Sequence, residues 1–484
     1  MWLERLGLVT SIAVLGCSQE SPAPSERDAT LPQDIIVQPA DRQSTIVDVP
    51  PIETIDVPSV DASIDASSDA GFVVDAIRPP TLTYWHDTEP IFRARCVTCH
   101  RPGGIMAAMP WDSYGRVFDF RTQIQTAIVE NRMPPWPPSS FCGPHYQNDL
   151  SLTPEQINKI RDWVAMGAEE GSPADRGERL TPTSHTTLSR VDSSLALPPY
   201  VPPVTEEYRC FVMDWPGTAA QYITGMQVDP GIAQIVHHAL IYKIGGDPSD
   251  PHYSDFFDEL DRSDLAPGFS CTGTTGILRL NLLGAWAPGN QGADFPVGTG
   301  LPIPPHTKIV AQIHYNTTGV ASLAMLRSLV EAHPIRLNFR LDDRVSHVAQ
   351  IRYWTDSNWV LDPMAMLIPA GSRGVTHSYT GFLRSGTVYG VSTHQHQLGR
   401  SNRLSHITTS PTGETTESCL LDIPRWDFHW QDVFWLQSPV TFRSGDQLRI
   451  TCGWDNPTSR DVSWGDSTSA EMCLGLIYYV PDGS

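Results

Sequence analysis

The sequence predicts a small all-α unit followed by two all-β antiparallel sandwich domains of jelly-roll-like type. Three observations predict this. Between residues 81 and 175, helical patterns run through DTEPIFRARC, FRTQIQTAIVENR and LTPEQINKIRDWVAMGAEEG. From residue 206 onward, short apolar or alternating runs lie between turn signals: QIVHHALIYKI, HTKIVAQIHYN, HVAQIRYW, DVFWLQSPVTF, DQLRITCGW and EMCLGLIYYV. No long helical pattern interrupts them, and the stretch is long for one sandwich. Two domains are therefore expected, dividing near residues 340–350.

The chain begins with what reads as an export signal, residues 1–17. LGLVTSIAVLG is an apolar run ending at Cys17, too short for a good transmembrane span. VLGC resembles a bacterial lipobox, in which Cys17 would be lipidated. A plain secretory signal is the alternative. With Ser18 next, that resemblance implies an outer-membrane lipoprotein of a Gram-negative cell, its folded domains in the periplasm or at the cell surface. Residues 18–80 are rich in Ser, Pro, Asp and Ala and show no periodic apolar face, so they read as a disordered acidic tether. Residues 18–76 hold 12 acidic and 2 basic residues, about half of the chain's net charge of -21. An acidic balance of 54 to 33 argues against a nucleic-acid partner.

Within the helical unit, 81–175, RCVTCHR is the strongest short motif. Cys96 and Cys99, followed by His100, read as covalent c-type haem attachment. The two thiols add to the haem vinyl groups and His100 binds the iron. Half a zinc site or a thiol redox pair would be the rival chemistry. The helix of FRTQIQTAIVENR stops at Met133, because MPPWPP cannot continue it. Met133 is the candidate distal ligand, with Met106, Met109, Met166 and His145 as rivals. Thr153 reads as the cap of the next helix, with Pro154 in its first turn and Gln156 at N3. Together these features resemble a class I cytochrome c domain, which implies single-electron transfer.

Residues 176–205 are punctuated by Gly, Thr and Pro and read as a linker. The two sandwich domains are expected over 206–345 and 346–484. IVHHALIY raises a physical question, because adjacent residues on a strand point to opposite faces. Two neighbouring imzidazoles, His237 and His238, converge only if twist or a bulge turns them together, or if different ring nitrogens bind. His314, in AQIHYN, would complete a three-imidazole set. In STHQHQLGR, His394 and His396 share a strand face. Met472, in AEMCLG, offers a soft thioether. Imidazoles plus a thioether favour copper cycling between Cu(I) and Cu(II), with zinc open for the three-histidine set alone.

HH, then QIHYN, THQHQLGR and EMC, in this order over residues 206–484, resemble the copper type II, ascorbate-dependent monooxygenases, the peptidylglycine alpha-hydroxylating and dopamine beta-monooxygenase family. The resemblance implies two copper ions. His237, His238 and His314 would hold the electron-storing one; His394, His396 and Met472 would hold the one where O₂ and substrate meet, and are the catalytic candidates. It also implies hydroxylation of an aliphatic C–H bond, one oxygen atom going to product and one to water. The peptide-hydroxylating members hold a substrate carboxylate with an arginine, an asparagine and a tyrosine. Ser392, Leu474 and Leu476 stand at those positions here, which argues against a glycine-extended peptide as substrate and leaves these positions free to line a more apolar pocket. Tyr478, Tyr479, Trp426, Trp430 and Trp435 are nearby aromatic candidates. His377, His406 and His429 have no assigned role.

Besides Cys17, Cys96 and Cys99, six cysteines remain, compatible with three disulfides in an exported chain. Cys452 and Cys473 sit in late strand-like segments and fit the family pattern beside the methionine. The pairing of Cys142, Cys210, Cys271 and Cys419 stays open. The expected protein is an oxidoreductase: a dicopper monooxygenase acting on a small organic substrate and O₂. Electrons would come from an external donor through covalent haem c. The alternative is a haem or copper electron-transfer lipoprotein without oxygenase activity.

Overall fold

The computed structural model describes residues 81–483, apart from 98, 103–105, 107–108, 148, 181–187, 245–251, 272–280, 288–289, 291, 318–322 and 429. The expected signal peptide with Cys17, the tether at 18–80 and His429 lie outside the described residues. Residues from Asp75 to the C-terminus fall within one compact unit.

Four short helices open the described chain: α1 (Glu89–Arg95), α2 (Tyr114–Asp119), α3 (Arg121–Val129) and α4 (Pro154–Ala165). Phe92, Ile124, Ile160 and Trp163 bury a small core between them. Thr153 caps α4 and closes a capping box with Gln156, while Pro154 takes the first turn, where its missing N–H costs nothing. Cys96 terminates α1.

The expected all-α cytochrome domain needs correction. The described chain is mostly β-sheet, and its seven α-helices are short. The front helices do not stand apart as an all-α domain. Between α3 and α4, residues 133–150 form no helix and are built into the C-terminal sandwich. Cys142 is disulfide-bonded to Cys419, 277 residues away. Tyr146 bridges Leu436, and its hydroxyl donates to the Leu420 carbonyl at 2.8 Å. The physical reason is local. The prolines of MPPWPPSSFCGPHY forbid a helix, and Trp136 and Tyr146 need burial that four short helices do not offer. Both rings pack against the sandwich core.

Two sandwiches follow. The first contains β1 (Ser193–Ala196), β2 (Glu206–Asp214), β3 (Gln221–Asp229), β4 (Val236–Ile244), β5 (Phe269–Ser270), β6 (Asn281–Trp286), β7 (Ala293–Asp294), β8 (Thr299–Ile303), β9 (Lys308–Asn316), β10 (Arg336–Asp342) and β11 (His347–Val348). One sheet runs β1-β10-β3-β8-β11, with β7 on β3. Its partner runs β5-β2-β9-β4-β6. Phe211, Ile223, Ile309, Ile313, Leu337 and Phe339 fill the space between them. β1 lies inside the stretch expected to be a linker and pairs with β10. Two helices absent from the sequence reading, α5 (His252–Ser263) and α6 (Leu323–Ala332), sit in connections.

The second sandwich contains β12 (Gln350–Trp354), β13 (Val375–Phe382), β14 (Gly386–His394), β15 (Gly399–Thr409), β16 (Thr415–Ile423), β17 (Phe434–Phe442), β18 (Gln447–Trp454) and β19 (Leu474–Pro481). A short helix, α7 (Ser357–Leu361), follows β12. The sheets run β12-β19-β14-β17 and β13-β18-β15-β16. The outer face of the β5-β2-β9-β4-β6 sheet is itself covered. Tyr242, Val310 and Phe257 bury there, with Ile351 and Leu476 of the second sandwich packed against them. Tyr478 joins the first core and its hydroxyl meets that of Thr299 at 2.8 Å. The two sandwiches therefore share a buried apolar seam.

Cys210–Cys271 and Cys452–Cys473 complete three disulfides among the described residues. Such density fits an oxidising compartment and supports an exported protein. No helix among the described residues is long and apolar enough to cross a membrane.

Cys142–Cys419 closes a very long loop, the case in which a cross-link most restricts the unfolded chain. Replacing both cysteines with Ala is expected to cost about 2–5 kcal/mol. Limited proteolysis should then cut first within residues 133–150, which one isolated bridge and a few main-chain bonds hold to the sandwich in place of a full strand ladder. Unchanged cleavage there would mean that aromatic packing alone holds the segment.

Candidate metal centre

The first histidine set depends on a bulge. β4 pairs with β9 so that Val236 opposes Tyr315 and His238 opposes His314, leaving His237 as an extra residue. An extra residue on one strand removes the strict alternation of faces. His237 and His238 therefore converge with His314 instead of diverging. One ligand atom from each lies within 4.8 Å of the others, and the two Nδ1 atoms of His237 and His238 are 3.3 Å apart.

His314 has one nitrogen committed and one available. Its Nε2–H donates to Glu206 Oε1 at 2.9 Å, while Nδ1 is buried with no hydrogen-bond partner among the described residues. A carboxylate on the far nitrogen fixes tautomer and ring orientation, as metal-ligating histidines require. Tyr208, beside His314 on β2, stacks on its ring at 4.0 Å and 8°. Phe428, from the second sandwich, stacks on His237 at 4.5 Å. Burial holds the His238 imidazole far below its ordinary pKa, and the neighbouring histidines reinforce this. Burial also lowers His314, against the pull of Glu206. Neutral imidazoles keep a lone pair for a cation.

The second set is arranged at the end of β14. His394 is its last residue and His396 follows two positions on. His394 Nδ1–H donates to Gln431 Oε1 at 2.7 Å, and His396 Nδ1–H donates to the Ala470 carbonyl at 3.0 Å. Both rings therefore keep Nε2 for a ligand, and they lie 5.0 Å apart. Burial lowers His396 to about 3, with the His394 charge adding to it. Met472 is buried immediately before Cys473, whose disulfide ties it to β18.

Glu471 organises this loop and was missed in the sequence. Its carboxylate is 0% exposed. It accepts the main-chain N–H of His396 at 2.9 Å, that of Leu398 at 2.6 Å and the indole N–H of Trp454 at 2.9 Å. Burial raises its pKa to about 7, opposed by those donors. Trp426 clamps the same loop by donating from its indole N–H to the His396 carbonyl at 3.1 Å. Glu206, Gln431 and Phe428 were also missed. None carries a spacing signal, since each acts only through a fold that joins distant segments.

The two sets face one another. The His238 and His394 rings are 6.3 Å apart, and a cavity of about 320 Å³ is lined by His238, His394, His396 and Met472 together. Ser392, Leu474 and Leu476 line the same cavity, along with Trp286, Tyr353 and Trp464. The aromatics singled out from sequence serve elsewhere. Tyr478 packs in the first core and Tyr479 in the second. Trp435 lies against Tyr478, and Trp430 is buried. His377 bonds the Leu367 carbonyl and His406 pairs with Asp446.

In the helical segment, a turn after α1 brings the His100 N–H to the Cys96 carbonyl at 2.9 Å. Cys96 and Cys99 are free thiols, and burial pushes Cys96 up to about 12. His100 is buried, stacks on Trp111 at 3.4 Å and donates from Nδ1 to the Met109 carbonyl at 2.9 Å. Its Nε2 is thereby left as the lone-pair nitrogen, the state an axial iron ligand needs. Met133 is half-buried just beyond α3. Of its rivals, Met166 is 51% exposed, and the His145 carbonyl is bonded to Gln437 of β17.

Glu206→Ala should weaken copper at the first set by about 10–100-fold, the usual effect of losing an outer-shell partner. Competition with a calibrated chelator would measure it. An unchanged affinity would show that Tyr208 stacking alone orients His314.

Residues 377–483 match the family model for the copper type II ascorbate-dependent monooxygenase, C-terminal domain. The human DBH-like monooxygenase protein 1 is 24% identical over 370 residues, covering 69% of this chain and 56% of that protein. A tyramine beta-hydroxylase of Caenorhabditis briggsae is 23% identical over 316 residues, covering 59% of this chain and 47% of its own. The chain thus spans about half the length of the curated relatives it matches. Among solved structures, the infectious bursal disease virus VP2 subviral particle overlaps at a TM-score of 0.16 with 9% identity, over 57% of this chain and 56% of that one. That overlap is too slight to bear on the fold. The family match thus falls on the second sandwich, and the monooxygenase relatives extend the similarity over a longer stretch at 23–24% identity.

Proposed function

We propose that this protein is a dicopper monooxygenase that hydroxylates an aliphatic C–H bond of a small, largely apolar substrate with O₂. Its electrons come from an ascorbate-type donor by way of haem c on Cys96 and Cys99. The observation that carries the reading is a cavity lined by His238 of the first ligand set and by His394, His396 and Met472 of the second. One oxidation that needs two electrons can draw one from each side.

Copper, when bound, supplies one-electron redox chemistry between Cu(I) and Cu(II) and the activation of O₂. The chain's own residues do the rest. His237, His238 and His314 would hold the electron-storing ion, the last through its unpartnered Nδ1. His394 and His396 would offer Nε2, with Gln431 and Ala470 fixing the tautomers. The thioether of Met472 would favour the reduced ion. Trp286, Leu474 and Leu476 present an apolar wall that excludes water and holds a C–H bond near that site. Among the described residues no lysine or arginine lines this cavity, so a substrate held by its carboxylate finds no matching charge among them.

Haem c, when bound, supplies a single-electron carrier. Cys96 and Cys99 would anchor it, His100 would bind iron through Nε2, and Met133 would take the opposite side. Lipidation at Cys17 would hold the protein at a membrane of an exporting cell. The two sandwiches would be the copper-binding domains, the first extended beyond the expected 206–345 by β1 and β11.

Fully loaded protein should carry about two coppers and one haem per chain, since the ligand sets are separate and CVTCH occurs once. Metal analysis after maturation with haem attachment tests this; one tightly held copper after reconstitution sinks the two-site reading. Met472→Ile should largely abolish substrate hydroxylation and remove copper–sulfur scattering from the X-ray absorption of the reduced protein. A persisting sulfur signal would place the thioether elsewhere.

A further inference from the structure

The described residues of the segment at 425–434 reach the end of α3, Trp136 and both histidine sets. At its start, the Arg425 side chain donates to the Glu130 carbonyl at the end of α3, at 3.1 Å. Next, Trp426 holds the His396 carbonyl. Phe428 stacks on His237, and Gln431 accepts from His394. At its end, Phe434 is 1% exposed and meets Trp136 edge-on, with ring centroids 5.4 Å apart at 85°. Trp136 lies three residues beyond Met133, across two prolines that stiffen the link.

We propose that the described residues of 425–434, all but 429, are the electron entry to the copper sites. The Trp136–Phe434 contact passes the electron first to the site of His394, His396 and Met472. The proposal rests on the haem and copper reading above. From Phe434 two short paths, each mostly along the main chain with one hydrogen-bonded step, reach that site. One runs back three residues to Gln431 and through its hydrogen bond to His394. The other crosses the β14–β17 ladder to Val391, three residues before His394. Trp426 adds a third contact, at His396. The first site lies further along the same segment: the Gln431 amide donates to the Phe428 carbonyl at 2.9 Å, and the Phe428 ring stacks on His237, so that route is longer by a hydrogen bond and a ring contact. Each transfer takes one electron from ferrous haem, leaving it ferric, and converts Cu(II) to Cu(I). No bond or proton changes place. An ascorbate-type one-electron donor restores the haem.

The test uses full-length protein carrying haem and Cu(II), without oxygen. A flash-excited soluble flavin reduces the haem, and its reoxidation is followed at the haem absorbance bands. Trp136→Leu is expected to slow reoxidation by about tenfold or more, while Trp136→Phe stays within about threefold of the parent. Copper content, measured on each sample, should not change. Independently, His314→Ala should keep the fast haem reoxidation and His394→Ala should lose it. A parental rate in Trp136→Leu with copper in place overturns the route. Loss in His314→Ala with retention in His394→Ala overturns the order of entry and favours Phe428. Haem that is not reoxidised in the parent overturns the haem relay itself, and the route falls with it. That outcome is distinct from a failure confined to the Trp136 variants.

Discussion

The candidate centre depends on one extra residue in one strand. Regular pleating would send His237 and His238 to opposite faces of the β5-β2-β9-β4-β6 sheet. One ring would enter the core beside Val236 and Tyr315, and only the other would reach His314. The bulge at His237 keeps Val236 and Ala239 in the core while releasing both imidazoles to the outer face. That face is the one the second sandwich covers. The register error thus decides both how many imidazoles are available and where they look.

The second constraint is a buried acid. Glu471 lies between a histidine loop and the thioether, and three N–H groups converge on its carboxylate. A carboxylate taken from water is tolerated only when its lone pairs are met in this way. Reciprocally, the loop carrying His396 is irregular and would bury unsatisfied N–H groups without it. Glu206 does comparable work across the seam. It accepts from His314 and from the Thr468 hydroxyl, joining a strand of the first sandwich to the loop before Met472. Neither acid touches the cavity through a ligand atom, yet each fixes a group that does.

What could be read from the sequence follows from the range of each interaction. Helix α4 was legible to its cap, because Thr153 and Gln156 act within one turn. The strands were legible from alternation, and the six candidate copper ligands from residue type and order. The separate all-α front domain was not a correct reading. Helical periodicity reports how a segment folds locally but not what it packs against. Trp136, Cys142 and Tyr146 find partners at Phe434, Cys419 and Leu436, some 300 residues onward. Such partners leave no periodic trace. Glu471, Gln431 and Glu206 escaped notice for the same reason: a lone polar residue in a loop looks solvated until the fold buries it.

That same long-range packing gives the helical segment its place. A tethered domain joined only by a flexible linker would meet the sandwiches in many orientations. Here a disulfide, the Tyr146–Leu436 bridge and main-chain bonds from Ser139 and Gln147 to Asp422 and Trp435 fix one orientation. The disulfide and the Ser139 bond brace β16, while the Tyr146 bridge and the Gln147 bond brace β17, which begins three residues after Gln431, the residue that sets the ring of His394. Rigidity at the docking surface and rigidity at the ligand set therefore meet at β17. Loosening the segment would be felt at His394 before it was felt at His237, whose environment is held by the other sandwich.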